Sequence, residues 1–281
     1  MSKNKYSKCL IGIITVVLLI LLWFYWQSKQ ADPDILSEHE FNRFWETRNN
    51  LPEKKVSSLE NNPLENKTIY QWNGINQVFE LTQTYLGREI DTGQYRLIKE
   101  VNIDVDGNGL DENYLLTNGQ IVVSEGGETI WQSEADWWVD DFALADSTGN
   151  GSLYLNLSVW KAGNYGPSQP FWVKDNDPAV KNHFFVFGFR DGSIQPIWQS
   201  SSLAMPNCQF QLADVDRNGQ QELVVLEGEY RDDWNCQANY LAVWRWKEWG
   251  FYNEWRSSAG FFANLKIVEE NDLFKIAVDQ Q

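Results

Sequence analysis

FQLADVDRNGQQELVVLEG, residues 210–228, sets an acidic loop between two apolar runs with the texture of strands. Within it, DVDRNGQQE (214–222) carries oxygen-bearing side chains at every second position, Asp214, Asp216, Asn218 and Gln220, and closes on Glu222. The loop occurs again as DVDGNGLDE at 104–112 and, in a degenerate form, as DSTGNGSLY at 146–154. The runs leading into the last two loops also match, FALAD at 142–146 and FQLAD at 210–214. A second motif keeps phase with the first: TIWQS at 129–133 returns as PIWQS at 196–200 and more weakly as EWRSS at 254–258.

The loops begin at Asp104, Asp146 and Asp214, 42 and then 68 residues apart, and the surplus falls in a turn-rich insertion at 161–183. A repeat of about 40 residues that holds four short strands has the length of a propeller blade. The chain ends supply complementary halves of one more unit. IYQWNGINQVFEL (69–81) reads as a last strand pair and FFANLKIVEENDLFKIAV (261–278) as a first pair around a decayed loop, VEEND. The expectation is an all-β domain over 68–281, a β-propeller of four blades with the last blade closed by N- and C-terminal strands. Such closure removes the free sheet edges an open array leaves. A divergent β-sandwich is the competing fold.

A hard cation such as Ca²⁺ takes six to eight oxygens, and a tight loop supplies them from positions 1, 3 and 5 by side chain and from position 7 by backbone carbonyl. Position 6 needs glycine for the turn, and position 9 adds a carboxylate. The first loop then offers Asp104, Asp106, Asn108, the Leu110 carbonyl and Glu112; the third offers Asp214, Asp216, Asn218, the Gln220 carbonyl and Glu222. The expected role of Ca²⁺ is structural. Asp146, Thr148 and Asn150 make the middle loop a weak candidate, because Tyr154 stands at position 9. A metal-free Asp/Asn/Gly turn is the alternative for all three.

These loops and their flanking strands resemble the FG-GAP/VCBS repeat family, the calcium-loop propellers that include the integrin alpha head. The pattern that carries the likeness is strand, D-x-D-x-N-G-x-x-E, strand, over roughly 95–230 and by extension 68–281. The resemblance implies the fold and the metal loop. It implies little about the task, since such propellers serve in adhesion, ligand binding, envelope assembly and as accessory domains of enzymes. The degenerate middle loop, the decayed last repeat and the small repeat number depart from the larger members.

Toward the N-terminus, CLIGIITVVLLILLWFYW (9–26) is 18 residues without a charge, preceded by Lys3, Lys5 and Lys8. At 1.5 Å per residue it reaches about 27 Å, enough for a single transmembrane helix. The lysines place residues 1–8 in the cytoplasm and the rest outside the cell membrane. A cleaved signal peptide is the alternative, although Lys29 stands where a small residue is wanted before Ala31. Between anchor and domain, residues 27–67 read as a stalk with a helix that begins at Asp32-Pro33 and stops near Asn49-Asn50.

The net charge of −16 over 281 residues, from 23 basic and 39 acidic side chains, argues against a nucleic-acid partner. With the three lysines held inside, the exported part is more acidic still. Cys208 and Cys236 flank the third loop's hairpin and are expected to form a disulfide outside the cytoplasm. Among 15 Trp, Trp131 and Trp198 share a repeat position and read as packing between blades, whereas Trp137, Trp138, Trp172, Trp234 and Trp249 fall near turns or in the insertion as a candidate binding surface. No nucleophile elbow, zinc helix or phosphate loop occurs, and His39 and His183 have no paired motif. Asp140-Asp141 and Asp232-Asp233 read as solvated turn charges, and Asn66 and Asn156 head sequons. The leading function is a membrane-anchored extracytoplasmic module for a protein or glycan partner. A glycan-active enzyme using loop carboxylates and a scaffold of an envelope complex are the alternatives.

Overall fold

The computed structural model describes residues 33–55, 67–83, 95–164, 177–232, 234–271 and 273–281. The tail at 1–8, the apolar segment at 9–26 and Trp172 lie outside the described residues, and among those described no helix is long and apolar enough to cross a membrane. The expected helix is present as α1 (Pro33–Asn49). Everything else regular is strand, as expected, in three hydrogen-bonded sheets, none of which closes on itself.

The first sheet orders β1 (Glu53–Lys55), β4 (Arg96–Ile103), β5 (Glu112–Thr117), β6 (Gln120–Glu125) and β7 (Glu128–Gln132), with only β1 parallel to its neighbour. The second is the antiparallel meander β8 (Trp138–Ala145), β9 (Tyr154–Ala162), β10 (Val180–Arg190) and β11 (Ser193–Gln199). The third begins with β12 (Asn207–Ala213), β13 (Glu222–Gly228), β14 (Ala238–Lys247) and β15 (Gly250–Arg256). One pair, Ala238↔Phe262, links that meander to β16 (Phe262–Glu270), β17 (Leu273–Gln280), β2 (Thr68–Asn73) and β3 (Val78–Gln83). A join so slight divides the sheet into two four-stranded units. The second unit combines the two ends of the domain, with Ala277 opposite Ile69.

The recurrent W-x-S explains how the units stack. Trp131, Trp198 and Trp255 sit on the fourth strands of their units and pair with Val123, Val186 and Val243 on the third, and each pair is followed by a register shift. Two residues on, a serine locks the end of that strand. The Ser133, Ser200 and Ser257 amides donate to the Ile121, Phe184 and Leu241 carbonyls, while the amides of those three residues donate back to the serine hydroxyls at 3.0–3.2 Å. Held this way, each tryptophan leans on the next unit. Trp131 meets Phe187 with ring centroids 5.1 Å apart, Trp198 meets Trp246 and Phe251 at 5.9 and 5.6 Å, and Trp255 meets Tyr70 and Phe79 at 5.5 and 5.4 Å. Gln83 occupies the matching register in the fourth unit.

The described part of the expected stalk packs on the domain. Phe44 of α1 is fully buried among Trp138, Trp160 and Trp234, with centroids 5.4–6.2 Å away. Arg48 lies 3.3 Å from Asp140, which also accepts the indole N–H of Trp138 (3.1 Å) and of Trp160 (2.6 Å). Asp140 and Asp141 are therefore not solvated turn charges. A register shift in β8 between Val139 and Asp141 turns the intervening Asp140 toward the helix, and Asp141 accepts from Lys99 at 2.9 Å. Asp232 is exposed, and Asp233 lies outside the described residues. Trp137, Trp138 and Trp234 are 7, 2 and 8 % exposed, so these three belong to the core and not to a binding surface. Asn156 is buried in β9 with its amide spent on backbone carbonyls, which rules it out as a glycan acceptor; Asn66 lies outside the described residues. The expected Cys208–Cys236 disulfide is formed, with Cα atoms 5.3 Å apart.

Two stability outcomes follow from this packing. Trp255→Ala removes the contact between the third and fourth units and should cost about 3 kcal/mol in urea unfolding. His183, fully buried on β10 with Nδ1 3.2 Å from the Ser200 carbonyl, has its pKa lowered to about 4 by burial, with Lys161 adding to the effect. The native state then binds fewer protons than the unfolded chain below the ordinary histidine pKa. Stability should fall as pH drops from about 6.5 toward 4, by up to about 1.4 kcal/mol per pH unit, and His183→Gln should flatten that slope.

Candidate metal centre and ligand cleft

The three acidic loops join the first and second strands of successive units, β4 to β5, β8 to β9 and β12 to β13. They share one frame. The leading aspartate turns both oxygens onto backbone amides: Asp104 accepts from Gly107 (2.7 Å) and Gly109 (2.9 Å), Asp146 from Gly149 (2.8 Å) and Gly151 (2.6 Å), Asp214 from Asn218 (2.9 Å) and Gly219 (2.9 Å). The position-5 side chains of Asn108, Asn150 and Asn218 accept from the amides two residues on. Gly109, Gly151 and Gly219 at position 6 have φ of +90°, +87° and +89°, which a side chain would strain. At position 4, Gly107 and Gly149 are also left-handed, but the third loop forces Arg217 to φ +64°.

What separates the loops is residue 9 together with the residue facing it across the hairpin. In the first loop Glu112 is fully buried. Its Oε2 accepts from the Val105 amide at 2.8 Å, while Oε1 is buried and without a hydrogen-bond partner. Glu125 on β6 pairs in register with Glu112 and accepts from the Asn108 amide at 2.8 Å. One oxygen from each of Asp104, Asp106 and Glu112 lies within 4.8 Å of the others. Burial lifts the Glu112 pKa, and the neighbouring Asp106, Asp104 and Glu125 lift it further.

The third loop gathers Asp214, Asp216 and Glu222 within the same 4.8 Å, with the Val215 amide donating to Glu222 at 3.1 Å. Here the facing position, one residue beyond the Leu223↔Trp244 pair, is Arg245. Its guanidinium bonds Asp216 and stands 3.3 Å from Glu222 and 2.9 Å from Glu254. Burial, reinforced by Asp216, pushes the Glu222 carboxyl up to about 8 against the pull of Arg245. In the middle loop Tyr154 takes position 9 and its hydroxyl accepts from Asn150 at 2.6 Å. Gly188 faces it, one residue beyond the Phe187↔Leu155 pair, and a Cβ there would lie 2.8 Å from the Tyr154 ring. With Thr148 in place of the second aspartate, that loop contributes one carboxylate and no acidic cluster. The first two acidic sets are thus brought together as the sequence implies, whereas the role of Glu125 and Arg245 emerges only from the hairpin register.

Of the candidate surface tryptophans that are described, Trp249 alone is exposed, at 78 %. It stands at a cavity of about 340 Å³ between the second and third sheets, walled by Trp198, Trp244 and Phe251. Glu227 and Arg256 supply charge there. Glu227 is 3 % exposed, accepts the Trp244 indole N–H at 2.8 Å and lies 2.8 Å from Arg256, and burial raises its pKa. Sequence comparison against family models and against curated proteins finds no match for the chain.

The strained fourth position makes a direct test of the loop frame. Arg217→Gly should stabilise the protein by up to about 1 kcal/mol in urea unfolding, because glycine adopts φ +64° without the penalty that arginine incurs.

Proposed function

We propose that the chain is a membrane-anchored, extracytoplasmic β-propeller of FG-GAP/VCBS type that binds a glycan in the cleft beside Trp249. Four meanders in sequence, the sharing of the last one between both ends of the domain and the W-x-S contact repeated from unit to unit support the propeller. The apolar segment at 9–26 with its leading lysines, and the Cys208–Cys236 disulfide, support export and anchoring. The observation that carries the binding role is the exposed Trp249 at the mouth of an aromatic cavity whose wall holds one carboxylate and one guanidinium. Pockets of a few hundred Å³ with apolar walls and few convergent polar groups are the common form of small-ligand sites. Flat indole faces with a Glu–Arg pair suit the CH-rich faces and hydroxyls of a sugar ring.

Turnover of a glycosidic bond ordinarily needs two carboxylates flanking it. Glu227 is the one acidic residue that lines the cleft, and Arg256 and Trp244 already engage it, which favours binding over cleavage. Ca²⁺ fits the first loop on its donor set: two aspartates, an amide oxygen, a backbone carbonyl and Glu112 with an unspent buried oxygen. The bound ion would supply the positive charge that lets these carboxylates sit together, and so hold the β4–β5 turn. The protein groups do the rest, aiming Glu112 through the Val105 amide and Asp104 through the Gly107 and Gly109 amides.

Adding Ca²⁺ to chelated protein should raise the melting temperature, corresponding to about 2.7 kcal/mol at a hundredfold excess over Kd, and Asp104→Ala should abolish the rise. Tryptophan fluorescence titrated with a panel of polysaccharides should change with at least one. Trp249→Ala should remove that response while leaving the melting temperature within a degree. Silence across the panel, with a stoichiometric protein co-purifying from solubilised membranes, would replace the glycan by a protein partner.

A further inference from the structure

We propose that the third acidic loop takes no metal because Arg245 is its resident cation, and that the chain carries a single divalent-cation site, the first loop, to which Glu125 adds a fourth carboxylate. The proposal rests on the first loop being a cation site and concerns how that role is divided between two loops of equal sequence pattern.

The division comes from one register position. Residue 9 of each loop opens the second strand, and the residue opposite it opens onto the same cradle. Glu112 faces Glu125, and Glu222 faces Arg245. Among the described residues no basic side chain pairs with Asp104, Asp106, Glu112 or Glu125, so the first cradle gathers negative charge with no protein counter-ion. The third cradle has its counter-ion built in, with the guanidinium bonded to Asp216 and 3.3 Å from Glu222, the two carboxylates a cation would share. An arginine there is held by three acids, since Glu254 closes on it at 2.9 Å, and these outweigh the cost of its burial and keep it charged.

The unsatisfied atoms point the same way. Three buried carboxylate oxygens lack a hydrogen-bond partner: Glu112 Oε1, Glu227 Oε2 and Glu254 Oε2. Glu227 Oε2 lies 2.8 Å from Arg256 and Glu254 Oε2 lies 2.9 Å from Arg245, so each has a cation at contact distance. Glu112 Oε1 has none. A fully buried carboxylate oxygen without donor or cation is costly to keep, and it is turned into the cluster formed with Asp104 and Asp106. Glu125 holds Asn108 by its amide nitrogen at 2.8 Å, so it both adds charge and orients the position-5 side chain.

The test is Ca²⁺ titration of the full chain in detergent by calorimetry, with terbium luminescence as a second readout. One ion per chain is expected, lost in Asp104→Ala and retained in Asp214→Ala with affinity changed less than about twofold. Glu125→Gln should weaken binding about tenfold. Arg245→Met, which keeps the bulk and removes the charge, should raise the stoichiometry to two. Two ions in the unaltered chain, or one ion lost in Asp214→Ala and kept in Asp104→Ala, overturns the proposal while leaving a metal-binding repeat intact. A folded Arg245→Met that still binds one ion also overturns it. No ion in the unaltered chain removes the first-loop site itself. If Arg245→Met does not fold, the unaltered chain and Asp214→Ala decide alone.

Discussion

The stacking of this fold depends on a tryptophan that belongs to one unit and is buried by the next. Trp131, Trp198 and Trp255 are placed by their own sheets, through a Val partner, a register shift and a serine that closes the strand end with two hydrogen bonds. Their ring faces are covered by Phe187, by Trp246 and Phe251, and by Tyr70 and Phe79 of the following unit. A four-stranded meander cannot bury both of its faces alone, so the side chain that orients a unit is also the one that joins it to its neighbour. The serine serves this purpose by fixing where the strand ends, and hence the direction in which the indole projects.

A second constraint, the pairing of loop position 9 with its cross-strand neighbour, has been met in three ways within one chain. Glu with Glu leaves excess negative charge, Glu with Arg neutralises itself, and Tyr with Gly fills the space with a ring. The turn itself is the same in all cases, because it is made by the leading aspartate and the left-handed glycine at position 6 and not by anything at position 9. The frame persists where the acids are lost, as at Asp146, so the presence of the frame does not by itself mean a metal. The facing residue is the better indicator of which loop needs a cation.

What could be read directly from the amino-acid pattern was whatever is encoded locally. The strand runs, the acidic loops, the W-x-S phase, the disulfide and the extent of α1 are each set by residues close in sequence or by an in-phase repeat. The misread residues are those whose surroundings come from afar. Trp137, Trp138 and Trp234 lie near turns, where exposure is the usual expectation, yet they are buried. Trp138 and Trp234 meet Phe44, about 90 and 190 residues earlier, and Trp137 meets Phe185. Asp140 adjoins a second aspartate, and only a register shift in β8 turns it toward Arg48. Arg245 belongs to the third loop by hairpin register alone; a count across the β13–β14 turn, aligned on the match between Glu112 and Glu222, would have found it.

The same long-range contacts move the boundary of the domain. Residues 27–67 are polar and turn-rich enough to pass for a spacer, but their described part makes the cover of the second sheet. Trp138, Trp160 and Trp234 present a broad aromatic face there, and Phe44 is the side chain that closes it at 0 % exposure. Arg48 is buried with its charge set against Asp140 and its guanidinium over the Phe44 and Trp160 rings, 5.2 Å from each. Removing the helix would leave Asp140 with its two indole donors and no counter-charge, and would open a patch of indole to water. A buried ion pair contributes little net stability when intact, but losing one partner is severe because the other charge stays desolvated. Arg48 and Asp140 therefore act less as a source of stability than as a condition on it. The β-sheets and α1 fold as one unit, and the described domain begins with the helix at Pro33 instead of with the first strand of the repeats.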